Sequence, residues 1–269
     1  MENTTKADNP KTNRFSTIVI WTLAVIITAF TAYYQRITGP SYPVSGKVVF
    51  QGKEISYNLN RSGNSNENTV IKVPASMDNL KGVLLWKRFE TKDDVTRADM
   101  SLVNDELTGE LPKQTALSKL EYSIRLINNN TETTIPEKPV VIRYKDNVPF
   151  ALLGLHILAM FSAMLLSTRA GLEIIRKEPN LKKFTFWTIG ILTFGGFIMG
   201  AIVLKYAFGL YWTGFPVGMD LTDNKTLICW IMWVLASIMI FKSAKPKMWV
   251  VIASVITLLI FLIPHSLVP

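Results

Sequence analysis

The sequence predicts an α-helical membrane protein with five transmembrane helices and an all-β domain inserted after the first of them. Three observations carry that prediction: five apolar runs, a polar stretch over 35–147 that alternates like short strands, and lysines and arginines gathered beside alternate ends of the runs. A bilayer core of about 30 Å takes about 20 helical residues to cross. Ser16–Tyr34, Pro149–Ser167, Phe184–Phe208, Leu227–Phe241 and Met248–Pro264 are therefore read as crossings. The first, STIVIWTLAVIITAFTAYY, carries no charge and no small-residue cleavage site follows it, so it reads as a retained anchor rather than a signal peptide. The fourth is the shortest, and its place between two longer runs argues for a span.

Orientation follows from the excess of Lys and Arg in cytoplasmic loops. The segment 1–15 carries Lys6, Lys11 and Arg14; TRAGLEIIRKEPNLKK carries Arg169, Arg176, Lys177, Lys182 and Lys183; and Lys242, Lys245 and Lys247 follow the fourth run. Assigning all three to the inside gives a cytoplasmic N-terminus, a periplasmic domain at 35–147, a four-helix membrane domain at 148–265 and a periplasmic C-terminus at 266–269. The setting is a bacterial inner membrane, with the lipid bilayer as the first partner. The net charge of +9 then reflects topology, which removes the usual basic-protein argument for nucleic acid. The single cysteine, Cys229, provides neither an internal disulfide nor a thiolate metal cluster.

Within 35–147, YPVSGKVVFQGKEISYNLNRS reads as two strands turning at Gln51-Gly52. TVIKVP, GVLLWKRFE, DMSLVND, LSKLEYSIRLIN and KPVVIRYKD continue the rhythm, with polar turns between them. About seven short strands in this spacing predict an antiparallel sandwich. GVLLWKR at Gly82–Arg88 and LEYSIRL at Leu120–Leu126 resemble the middle strands of fibronectin type III and immunoglobulin-like domains. The resemblance implies that Trp86 and Tyr122 point into the core, and it implies no activity. The domain has no histidine, its acids lie in charged turns such as TKDDVTRAD, and no complete catalytic motif is present.

YAFGLYWTGFPVGMDLTDNKT, Tyr206–Thr226, separates the third and fourth runs. Its aromatics suit the membrane interface, its glycines and Pro216 suit a tight connection, and its final acids suit a helix cap. His156 stands inside the second run and Lys205 near the end of the third, and ionisable residues within spans point to function. His156, Lys205, Tyr211, Trp212, Asp220 and Asp223 are accordingly the candidate lining of an outer-leaflet pocket. His156, Met160 and Met164 recur along one helix face, an imidazole and thioethers that suit copper(I) or a haem axial position. No Cys-x-x-Cys-His attachment site accompanies them, so no cofactor is predicted and haem or copper is the alternative. Ala159 with Ala163, and Gly196 with Gly200, form small-residue strips for close helix packing.

HILAMFSAMLLSTRAGLE and KYAFGLYWTGFPVGMDLTDNKT resemble uncharacterised bacterial multipass membrane proteins with an outer domain of this kind, a resemblance that implies no activity. The function these features predict is binding, as a subunit or assembly factor of an envelope complex with a membrane or periplasmic protein partner. The alternative is a membrane redox, haem or metal-handling protein built around His156.

Overall fold

The computed structural model describes residues 10–263, with side chains from residue 16 onward. Expectations that fall on the N-terminal residues before these, on His265 or on the C-terminus lie outside the described residues. The described chain forms two compact units, one of helices and one of strands, the latter taking in residues 204–210 as well as 39–148.

The helices are α1 (Pro10–Thr38), α2 (Phe150–Gly171), α3 (Leu181–Leu192), α4 (Gly200–Phe208), whose residues from Leu204 onward group with the sheet unit, α5 (Leu221–Lys242) and α6 (Pro246–Leu262). A 3₁₀ turn, Leu172–Ile175, extends α2, and a π-helical segment, Thr193–Met199, joins α3 to α4. Four of the resulting rods are long and apolar enough to cross a membrane: Ser16–Thr38, Phe150–Ile175, Leu181–Phe208 and Leu221–Lys242.

The expected fold class, five membrane helices with an inserted immunoglobulin-like or fibronectin-like sandwich, is corrected in both parts. The last apolar run yields a helix of only 17 residues, which rises about 25 Å against a hydrocarbon thickness of about 30 Å. Its ends are fixed by proline chemistry. Pro246 occupies the first turn, and Ile263, extended at ψ 126°, precedes Pro264, whose ring disfavours a helical conformation in the residue before it. Conversely, the doubtful fourth run becomes a full-length helix. Asp220 accepts from the Thr222 and Asp223 amides, so α5 starts at Leu221, ahead of the apolar run.

The sheet unit has ten strands in place of the seven expected, and they form sheets of five, three and two strands in place of a two-sheet sandwich. β1 (Val44–Phe50) and β2 (Lys53–Leu59) form a hairpin whose turn residues, Gln51 at φ 48° and Gly52 at φ 78°, adopt the left-handed pair that a two-residue loop requires. The five-stranded sheet runs β3 (Ser62–Asn64), β10 (Thr131–Lys145), β9 (Lys119–Asn128), β5 (Lys81–Arg88), β6 (Thr96–Asp99). The remaining sheet runs β4 (Thr69–Pro74), β8 (Glu106–Leu111), β7 (Ser101–Val103). Alternation located the strands but did not name each one's neighbour. The pairing of β10 with β9 shifts register between Ile135 and Val140, across Pro136 and Pro139, which cannot donate to the ladder.

One apolar core draws on all three sheets, with Ile55, Ile71, Leu84, Leu107, Ile124 and Ile142 among its fully or nearly fully buried members. Trp86 pairs with Tyr122 across β5 and β9. Tyr122 enters the core as expected, its hydroxyl donating to the Asn60 carbonyl at 2.8 Å, whereas Trp86 is half-buried at the core's edge. Lys47–Glu54, Lys72–Glu106, Lys87–Glu121 and Arg125–Glu132 form ion pairs between adjacent strands.

Burial, with the neighbouring Tyr144 in support, pushes the Tyr122 phenol far above the ordinary tyrosine value. The folded state thus holds this proton more tightly than the unfolded chain does, so the stabilisation is intact below about pH 10 and declines as pH rises above it. Thermal unfolding of the protein in detergent should show that decline, with a shallower slope in Tyr122→Phe. At neutral pH the same variant should lose about 1 kcal/mol because the hydrogen bond from Tyr122 to the Asn60 carbonyl is lost.

Candidate functional site

The loop between α4 and α5 is held by its own polar groups. The Asp223 carboxylate accepts from the Thr213 amide at 2.6 Å and from its hydroxyl at 2.8 Å, and Asn224 accepts from the Phe215 amide at 2.7 Å. Asp220 caps α5, while its own amide donates to the Thr213 carbonyl at 2.9 Å. A side chain at Gly214 would come within 2.8 Å of the Asp223 β-carbon, so only glycine allows the loop to close against the start of α5. Trp212 donates to the Phe215 carbonyl and stacks on Phe197 at 5.5 Å. Phe197 in turn meets the edge of Trp230, whose indole donates to Thr193. The Asp220 carboxylate is thus engaged with amides of the first turn of α5 and that of Asp223 with a loop amide, and Trp212 seats the loop on the π-helical segment. Tyr211 is exposed.

His156 lies half-buried on α2 with Nδ1 2.9 Å from the Gly195 carbonyl. A carbonyl only accepts, so the Nδ1 proton is present and Nε2 retains its lone pair in the neutral ring. The same carbonyl accepts from the Gly200 amide, the wide bond of the π turn. Lys205 belongs to the stretch grouped with the sheet unit, where its ammonium donates to the Gly209 carbonyl at 2.9 Å. Met164 is fully buried in the helical core and Met160 packs at its border. Among the described residues, no group of three or more His, Cys, Asp and Glu could hold a metal ion.

The packing residues sit where helices approach. Ala159 and Ala163 are buried on α2, and Gly196 faces Thr226 of α5, which a β-carbon would meet at 2.5 Å. Gly200 lies beside the His156 ring. The tightest approach to Ala159 comes from Gly195, which sequence reasoning did not single out; its β-carbon would stand 2.9 Å away. The paired glycines in TFGGFIM were the available signal.

A second polar group was also missed. Arg169, 1% exposed, is ion-paired with Glu173, 0% exposed. Arg176 stands 3.8 Å from the same carboxylate, and the Asn180 amide donates to Glu173 Oε2 at 2.7 Å. The Arg169 guanidinium lies 4.5 Å from the Phe184 ring and 5.4 Å from Trp21. Near the start of α5, Lys225, 7% exposed, donates to the Ile263 carbonyl at 2.6 Å, at the negative end of α6. An acid four residues after an arginine, inside an otherwise basic loop, was the signal for the first pair. Lys225 carried none, because it falls before the apolar run that the sequence marks.

Comparison with protein families, curated proteins and solved structures found no match to this chain.

Replacing Asp223 by Ala leaves two Thr213 donors without their acceptor and should lower stability by about 1–2 kcal/mol, read as a lower melting temperature together with faster proteolysis in the α4–α5 loop. Glu173→Gln removes the counter-charge of a buried guanidinium. Its expected cost is larger, about 3–5 kcal/mol, and would appear as reduced membrane abundance and an earlier thermal transition.

Proposed function

We propose that this chain is a bacterial inner-membrane protein that presents its sheet unit to the periplasm and acts by binding, as a subunit or assembly factor of an envelope complex. The orientation is supported by the meeting of its basic segments. Lys247, at the start of α6, donates to the Arg176 carbonyl at 3.1 Å, and Trp21 near the beginning of α1 shares a cavity with Arg169, Arg176 and Lys183. Basic groups gathered at one end of a helical unit mark the cytoplasmic side. The chain enters and leaves the sheet unit from the other ends of α1 and α2, hence the periplasmic assignment.

The observation that carries the binding reading is the edge strand β7. It contains no charge and no proline, and Leu102 and Val103 are 62% and 49% exposed. Edge strands are blunted by charge, by proline or by shortness; β7, three residues long, is blunted by shortness alone, and its exposed apolar side chains suit strand addition by a partner, with backbone bonds giving affinity and side chains specificity. A second reading, metal or haem handling, draws on His156 alone: an imidazole fixed through Nδ1 to a carbonyl is the arrangement that orients a metal-ligating Nε2. An absorption spectrum and metal assay on purified protein test it, and a metal-free, colourless protein removes it.

A photo-crosslinking residue at position 102 in intact cells should give an adduct of discrete mass. The same residue at 49, in the exposed hairpin, serves as the comparison. Leu102→Lys should reduce recovery of that partner about tenfold, the equivalent of roughly 1.4 kcal/mol, with membrane abundance unchanged. A chain that migrates only as a monomer in native membranes and gives no adduct at 102 would overturn the binding reading.

A further inference from the structure

The helical unit carries an open-sided cavity of about 460 Å³ beside the buried ion pair. Arg169, Arg176 and Lys183 line it together with Trp21, Phe184 and Trp187. Three cations thus surround a space next to one carboxylate, Glu173, which is already engaged by Arg169, by Arg176 and by the Asn180 amide. Arg169 Nε, although buried, has no hydrogen-bond acceptor among the described residues, and its guanidinium is held in place by the Trp21 and Phe184 rings.

A planar guanidinium, an additional arginine and a lysine are the groups that bind phosphate oxygens, by bidentate hydrogen bonds and by charge. Trp21, Leu166, Phe184 and Trp187 give the lining an apolar wall, and Trp187 is exposed on a rod apolar enough to cross a membrane. Inorganic phosphate would gain nothing from that wall, whereas an acyl chain would bury apolar surface against it. Basic pockets between membrane helices recognise anionic headgroups on this principle.

We propose that the cavity binds an anionic phospholipid, with the headgroup phosphate among Arg169, Arg176 and Lys183 and the start of an acyl chain along Phe184 and Trp187. The site lies outside the sheet unit and does not depend on the binding role assigned to β7.

Native mass spectrometry of the purified full chain, after exchange into equal amounts of phosphatidylglycerol and phosphatidylcholine, tests the assignment. The wild-type protein should retain phosphatidylglycerol in preference, and Arg176→Gln with Lys183→Gln should lower that preference about tenfold or more, since each basic group near anionic lipid contributes about a fivefold effect. Lys177→Gln, an exposed lysine that does not line the cavity, should leave the preference intact. If the double variant is unstable, Lys183→Gln alone carries the test, because its exposed side chain has little folding role. Equal retention of the two lipids, or an unchanged preference in the Lys183 variant, overturns the proposal. Displacement of the retained lipid by millimolar inorganic phosphate as effective as displacement by short-chain phosphatidylglycerol also overturns it, and assigns the cations to free phosphate.

Discussion

The pairing of Arg169 with Glu173 draws three rods of the helical unit to one point. Removing two charges from water costs several kcal/mol per ion even after relaxation, and attraction offsets this only where the remaining donors and acceptors are also met. Glu173 has Arg169, Arg176 and the Asn180 amide, and Arg169 has two aromatic faces from α1 and α3. These partners come from three rods and the connection between two of them, so the pair gathers them only when α1, α2 and α3 are in place together. Hydrophobic burial gives little preference for one packing of apolar rods in lipid. The polar pair supplies the specificity that the apolar surfaces lack.

Much of the architecture is written in local pattern. Gln51-Gly52 names its own turn, because two consecutive left-handed residues are needed there and glycine accepts that geometry. Asp220 names the start of α5 by the usual capping chemistry. The number of crossings was less legible, since apolar composition gives the approximate extent of a run and not where the backbone stops being helical. At one end a cap lengthened a helix beyond its apolar run, and at the other a proline shortened one. Sheet partners were hidden for a different reason: alternation repeats every two residues in every strand, so it says which face is buried and nothing about which strand lies alongside.

The same limit applies to the functional residues. His156, Asp220, Asp223 and Trp212 were visible as polar or aromatic residues in or beside apolar runs, yet each has a backbone atom among its hydrogen-bond partners, and backbone carries no sequence label. The carbonyl that holds His156 belongs to a π turn, where Gly195 lies against Ala159. Arg169 and Glu173 have the spacing of an ordinary solvated helix pair, and what distinguishes them is burial, which depends on Trp21 and Phe184 far away in the chain.

The ion pairs between strands of the sheet unit have an effect that is not their energy, for exposed pairs contribute under about 1 kcal/mol each. β5 and β9 pair so that Lys87 stands opposite Glu121. Sliding one strand by two residues would keep every side chain on its proper face, so burial alone discriminates poorly against that mistake. In one such shifted alignment Lys87 comes opposite Lys119 and Lys81 opposite Arg125, and directly opposed like charges are destabilising. The charges on this surface act as spelling marks, telling two strands with interchangeable apolar faces which of several equally buried alignments is the right one.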